Sequence, residues 1–177
     1  MTKKLSTREK LLLHGRRLFW SRGFANVGLR EIAKAAGVDV ALVARNFGSK
    51  RGLFEATLDG AYGDLDLPPS ADALIERMVQ IFVEAPRGGP DPSVVQMLLM
   101  NAHDDEVGEA VRSYHTDAVQ SRIEQVVGDK AKAAQLMAAL LGFSVAEKSL
   151  LLDGIEKVGT PEYEAQFRRF LSASIAD

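Results

Sequence analysis

The chain has no cysteine, only three histidines, and no apolar run long enough to cross a bilayer. Without cysteine there are no disulfides, no thiolate chemistry and no cysteine-ligated metals, which fits a reducing cytosol. His14, His103 and His115 stand at spacings unsuited to a shared ligand, and neither a phosphate-cradling glycine loop nor a nucleophile motif accompanies them. An enzyme is therefore not expected, and neither is a bound metal or cofactor. His103-Asp104-Asp105-Glu106 gathers ligand-type residues only along the sequence. Consecutive positions point to different helix faces, and acids at a helix N-terminus account for the run. The longest nearly apolar stretch, Ala133 to Ala146, is interrupted by Gln135 and is too short to span a membrane. The opening M-T-K-K-L-S-T-R-E-K lacks the apolar core of a signal peptide. A cytoplasmic protein with no membrane partner is expected. Strand-type alternation is missing as well, so the fold class is all-α.

A length of 177 residues suits one compact domain, or a small head on a larger body. The net charge of −2 conceals an asymmetry. Met1 to Leu53 holds twelve Lys or Arg against Glu9, Glu31 and Asp39, a formal +9, which leaves −11 on Phe54 to Asp177. A basic head on an acidic body points to a polyanionic partner for the head.

The head is where the pattern is sharpest. Ser6 and Glu9 form an S-x-x-E capping box. Behind it Leu11, Gly15, Leu18 and Phe19 make one helical stripe, with Gly23 ending the helix and Phe24 returning to the core. Leu29, Ile32, Ala33 and Ala36 follow at i, i+3, i+4, i+7, with Gly37 where a left-handed C-cap favours glycine. Asp39 is placed to cap a second short helix, Val40 to Phe47, that buries Leu42 or Val43 and Phe47. Its other face offers Ala41, Ala44, Arg45 and Asn46. Two helices joined by a short glycine-containing turn form a helix-turn-helix, whose second helix enters the major groove of double-stranded DNA. Ser49 then caps a linking helix over about 50–62, with Leu53, Phe54, Thr57, Leu58 and Ala61 on its buried side. The head is assigned to residues 1–53 and the body to 63–177. So small a head is expected to lean on the rest of the chain.

The segments T-R-E-K-L-L (Thr7 to Leu12), L-F-x-x-R-G-F (Leu18 to Phe24), L-R-E-I-A-K-A-A-G-V (Leu29 to Val38) and F-G-S-K-R-G-L (Phe47 to Leu53) together resemble the TetR/AcrR family of bacterial transcriptional regulators. The resemblance covers the whole head in order and spacing. It implies DNA binding through the second helix and the start of the linking helix. Three departures from the family pattern stand out. Val27 and Gly28 stand where Ser or Thr usually opens the second helix, Ala44 where a Tyr is frequent, and Val40 where Lys or Pro is frequent.

The contact candidates follow. Arg45 is the foremost base reader, because Arg pairs bidentately with guanine. Asn46 is an adenine reader or a helix-end cap. Ala41 and Ala44 meet thymine methyls or simply permit close approach, and Val40 belongs to the same surface. Lys50, at a helix N-terminus beside Ser49, is placed for a phosphate. Thr7, Arg8 and Arg30 are further phosphate candidates.

The body begins after a helix-breaking hinge, Tyr62 to Pro69. Helices are expected over Ser70–Ala85, from Asp91 and Pro92 to Asn101, over His103–Val127, over Asp129–Leu152, and from beyond Pro161 to about Ala176, with a loop at Pro86 to Pro90. The last two carry apolar faces larger than one thin body needs. Met137, Leu141 and Val145 on one, with Phe167, Phe170 and Leu171 on the other, are the candidate homodimer interface. Two heads about 34–36 Å apart would match a pseudo-palindromic operator. The resemblance also implies a small apolar or amphipathic effector held among body helices, for which Met78, Phe82, Met97, Met100, Tyr114, His115 and Phe143 are candidates. Plain core is the competing explanation for each. The expected function is a sequence-specific repressor released from its operator by an effector, associated with the nucleoid when bound to DNA. The alternative is an architectural or protein-regulated DNA binder without a small-molecule pocket.

Overall fold

A computed structural model of the chain describes residues 5–63, 66–85 and 89–176. Lys3 and Lys4, positions 64 and 65 of the expected hinge, and 86–88 of the expected loop lie outside the described residues. Among those described, all regular structure is helical.

The head helices form where their end signals stand. Ser6 caps α1 (Thr7–Arg22) through both arms of the capping box: Glu9 N–H donates to its hydroxyl at 3.2 Å, and its own N–H donates to the Glu9 carboxylate at 2.7 Å. α2 (Leu29–Ala36) ends on Gly37 in the left-handed conformation, φ 66° and ψ 39°, which an L side chain resists. Asp39 accepts the Ala41 N–H at 2.7 Å to open α3 (Ala41–Phe47). Ser49 accepts the Gly52 N–H at 2.9 Å to open α4 (Lys50–Leu58). Regular α-helix stops there, short of the expected 62, and Ala61 lies half-buried in the turn that follows.

The chain divides into two compact units. The first comprises Met1–Asp64 and Gly89–Tyr114, so it includes α6 (Val94–Asn101) and nearly all of α7 (Gly108–His115). Its core is an aromatic trio. Phe19, Phe24 and Phe54 stand with ring centroids 5.5–5.6 Å apart and are essentially inaccessible to solvent. Leu53 packs directly over Gly15, as the glycine in the α1 stripe suggests. Two polar side chains are buried with these rings. Trp20 Nε1–H donates to the Thr57 hydroxyl at 3.1 Å. Asn101, fully buried at the end of α6, donates from Nδ2 to the carbonyls of Phe19 and Met97 and accepts the Phe24 N–H at 2.7 Å. One carboxamide thus ties α6 to the corner between α1 and α2, which is how the small head leans on chain beyond it. At the other end of α6, Asp91 bonds Arg17 of α1 at 2.6 Å. The helix itself is capped by the Ser93 hydroxyl, so its start lies beyond the expected Asp91 and Pro92.

The second unit comprises Leu65–Gly88 and His115–Asp177. It holds α5 (Ala71–Glu84), α8 (Ser121–Val127), α9 (Lys130–Lys148) and α10 (Pro161–Ser174). Phe167 of α10 packs against Phe82 of α5 at 4.6 Å and Phe143 of α9 at 4.3 Å between centroids. Two expectations give way here. The helix expected from His103 to Val127 begins only at Gly108, because Asp104 turns its carboxylate onto the N–H groups of Glu106 and Val107. An unbroken α-helix running on from Val107, Val111 and Tyr114 would bury Ala118, but a π-helical turn at Thr116–Gln120 inserts a residue, and the buried stripe passes through Val119 and Ile123 instead. The helix expected to reach Leu152 stops at Lys148, and Leu150, Leu151 and Leu152 are exposed, Leu151 at φ 49°.

Candidate nucleic-acid interface

The acids of the head are all engaged locally. Glu9 closes the capping box, Asp39 caps α3, and Glu31 pairs with Arg22. Two further arginines are committed, Arg17 to Asp91 and Arg51 to Glu55. Among the described residues, Arg8, Arg30, Lys34, Arg45 and Lys50 are in no ion pair. These cations remain available to phosphates, and neutralising phosphates makes binding steeply salt-dependent.

Each is held by the local fold. Arg8, exposed in the first turn of α1, places its guanidinium 5.2 Å from the ring centroid of Phe47, the last residue of α3. Thr7 beside it is half-buried, and Arg30 is exposed in the first turn of α2. That helix starts at Gly28 with no side-chain cap, and Val27 is buried, so no hydroxyl is offered there. Lys50 opens α4 with its ammonium 4.1 Å from the ring centroid of Phe24, a cation–π contact that fixes the side chain beside the helix N-terminus. The close approach of α4 to α3 requires Gly52, where an added Cβ would fall 2.1 Å from the Phe47 carbonyl oxygen.

α3 buries Val43 completely and Leu42 and Phe47 in part. Its opposite face exposes Val40, Ala41, Ala44 and Arg45. Asn46 is different: it is half-buried, and one of its two amide N–H groups donates to the Leu42 carbonyl at 2.7 Å. All nine candidate DNA contacts lie in the first unit, on the N-terminal helices.

The effector candidates are divided. Met97, Met100 and Tyr114 belong to the first unit, where Met97 is fully buried, Met100 is 46 % exposed, and Tyr114 stacks on Tyr62 at 5.9 Å. Burial raises the Tyr62 phenol above its ordinary range. Met78, Phe82, His115 and Phe143 belong to the second unit. Phe82 and Phe143 are parts of its aromatic core, Met78 is buried beside them in sequence on α5, and burial lowers the pKa of His115. An open cleft of 460 Å³ in that unit is lined by Asp66, Pro68, Ala73, Glu76, Arg77 and Gln80, none of them an effector candidate. Of the dimer candidates, Phe167 and Leu171 are fully covered within the unit and Met137 nearly so. Leu141 and Val145 are half-buried and Phe170 is 47 % exposed. Sequence reasoning missed Asn101 and Gly52, and it placed Thr57 on a buried face without its bond from Trp20. The one signal for Asn101 is a carboxamide closing the apolar run Met97 to Met100 of α6.

Among the described residues, no group of His, Cys, Asp or Glu converges on a metal-sized site, and no helix is long and apolar enough to cross a membrane. Residues 11–57 match the family model for bacterial regulatory proteins of the tetR family, and 72–175 match the tetracyclin repressor-like C-terminal domain. No curated protein sequence matches the chain. Solved structures do share the fold. A TetR-family transcriptional regulator from Streptomyces coelicolor is 21 % identical with a TM-score of 0.64, covering 96 % of this chain and 94 % of that one. NalD, the secondary repressor of the MexAB-OprM multidrug efflux pump in Pseudomonas aeruginosa, is 18 % identical with a TM-score of 0.65, covering 95 % and 94 %. AmtR from Mycobacterium smegmatis is 18 % identical with a TM-score of 0.57, covering 99 % and 89 %.

Proposed function

From the premise that this chain belongs to the TetR family of bacterial transcriptional regulators, we propose that it is a homodimeric repressor. In this reading it binds a pseudo-palindromic operator and is released by a small apolar or amphipathic effector. One observation carries the DNA-binding part: Arg8, Arg30, Arg45 and Lys50 of the helix-turn-helix head are in no ion pair, while every acid of the head is occupied elsewhere. Arg45 reads a base; Lys50, Arg8, Arg30 and Thr7 position the phosphate backbone. Two copies associate through α9 and α10. The accessible side of α9, with Ala134, Ala138, Leu141, Gly142 and Val145, and Phe170 of α10 supply the contact. Phe167 and Leu171 support that surface from beneath.

Release requires the effector to bind the DNA-incompetent state better than the competent one. Bound DNA then weakens effector binding by the same factor. The packing of Phe82 and Phe143 against Phe167 favours a second reading, in which the regulating partner is a protein and no small-molecule pocket exists. In either case the protein works in the cytoplasm, on the nucleoid when bound to DNA.

Selection of duplexes from a random-sequence pool by the purified protein tests the proposal. An enriched inverted repeat that stays bound at salt concentrations abolishing scrambled-DNA binding is the expected result. Equal, salt-sensitive binding to every duplex would leave only an architectural role.

A further inference from the structure

The inventory of side chains on the exposed face of α3 is short, and its chemistry restricts what they can recognise. Val40 and Ala44 stand four residues apart, as do Ala41 and Arg45, so these side chains share one face. Val40 is 37 % exposed, although a β-branched apolar side chain gains nothing from facing water. Asn46 is half-buried and commits one of its two amide N–H groups to the Leu42 carbonyl, which turns the carboxamide back along its own helix. The Ala41 N–H is taken by Asp39. Among the exposed residues of this face, Val40, Ala41, Ala44 and Arg45, Arg45 alone carries a hydrogen-bonding side chain. In the major groove the four base pairs present donors and acceptors, plus a single apolar group, the C5-methyl of thymine.

We infer that each operator half-site is read mainly through thymine methyl groups seated against Val40, Ala41 and Ala44, with Arg45 adding one hydrogen-bonded contact. The inference rests on the regulator reading above and specifies the chemistry of its DNA. Arg8, against Phe47 at the end of α3, and Lys50, against Phe24 at the start of α4, supply the backbone clamps that would press the apolar groups into the groove. Methyl contacts need close approach and no directional partner, which suits a reading helix of only seven residues.

The test uses the full-length protein and alters the DNA, so a folding defect cannot confuse it. Duplexes are first selected from random sequence. In the enriched operator, thymines are then replaced one position at a time by deoxyuridine, which removes the methyl and preserves the base pair. A buried methyl-sized group corresponds to about fourfold in affinity, so one removal in each half-site should weaken binding about fifteenfold. Scrambled DNA treated in the same way should be unaffected. V40A should then abolish the sensitivity at one thymine per half-site and leave it at the others. An inverted repeat whose deoxyuridine forms all bind within twofold of the parent would overturn the inference while leaving the regulator reading intact. So would V40A protein that keeps its full sensitivity at every thymine. Selection that enriches no repeat at all would overturn both.

Discussion

The two units bury aromatic rings at similar depth, yet they differ in what fixes the rings' positions. In the first unit the Phe19, Phe24 and Phe54 cluster is accompanied by Asn101 and Thr57, both buried and hydrogen-bonded to specific partners. Asn101 fits only where Phe19 offers a carbonyl and Phe24 an N–H. A buried polar group of this kind tolerates little displacement, because a lost partner costs the full desolvation of whatever is left unpaired. In the second unit, Tyr163 donates its hydroxyl to the Glu147 carboxylate at 3.0 Å, and Phe82, Phe143 and Phe167 beside it touch through dispersion and ring geometry. Such contacts hold strongly but accept several packings. The contrast suits the function proposed above, in which the reading surface keeps one geometry and the helical body responds to an effector.

The largest effect should come from breaking the apolar side of this comparison. Phe167→Ala removes the ring shared by α5 and α9 and should cost about 3–5 kcal/mol in denaturant unfolding. A loss below about 1 kcal/mol would mean the cluster repacks easily. Breaking the polar side comes next. Asn101→Leu keeps the bulk and strands the Phe24 N–H, while the Phe19 carbonyl keeps only the Gly23 N–H. We expect a loss of about 2 kcal/mol, together with weaker operator binding even though Asn101 touches no DNA. A variant equal to the parent in both respects would show that Asn101 does not hold the corner. Ser49→Ala, which removes the cap of α4, should cost about 1 kcal/mol. The smallest effect is expected at the surface of the second unit, where both carboxylate oxygens of Glu76 accept from Arg168. Arg168→Ala should cost less than about 1 kcal/mol. The Arg168 hydrogen bond holds the Glu76 carboxyl below its usual range. The pair's contribution is therefore present at neutral pH and lost as pH falls through the depressed value, and the difference between variant and parent should disappear on acidification.

What was legible in the sequence follows the same line. Ser6 with Glu9, Gly37, Asp39 and Ser49 act on backbone groups within a few residues, and the structure places each in the expected cap. The all-helical fold and the family follow from such local signals. Asn101 was out of reach because its partners lie 77 and 82 residues away. The π turn was out of reach because a one-residue slip leaves the apolar composition unchanged while moving the stripe from Ala118 to Val119. Leu150 to Leu152 looked like more of α9 because they are apolar, yet the helix ends at Lys148 and leaves all three exposed. At the reading surface, Val40, Ala41, Ala44 and Arg45 were identifiable from helical spacing. The fate of Asn46 turned on one side-chain hydrogen bond that spacing leaves open.

The central claim is that α3 reads bases while the start of α4 holds the backbone, and comparing Arg45→Ala with Lys50→Ala on selected and scrambled duplexes tests it most directly. Arg45→Ala should lose about 1–3 kcal/mol of discrimination at one base pair and leave scrambled-DNA binding nearly unchanged. Lys50→Ala should weaken both duplexes alike and lower the salt slope by about one. Equal losses from the two variants on both duplexes would contradict the assignment.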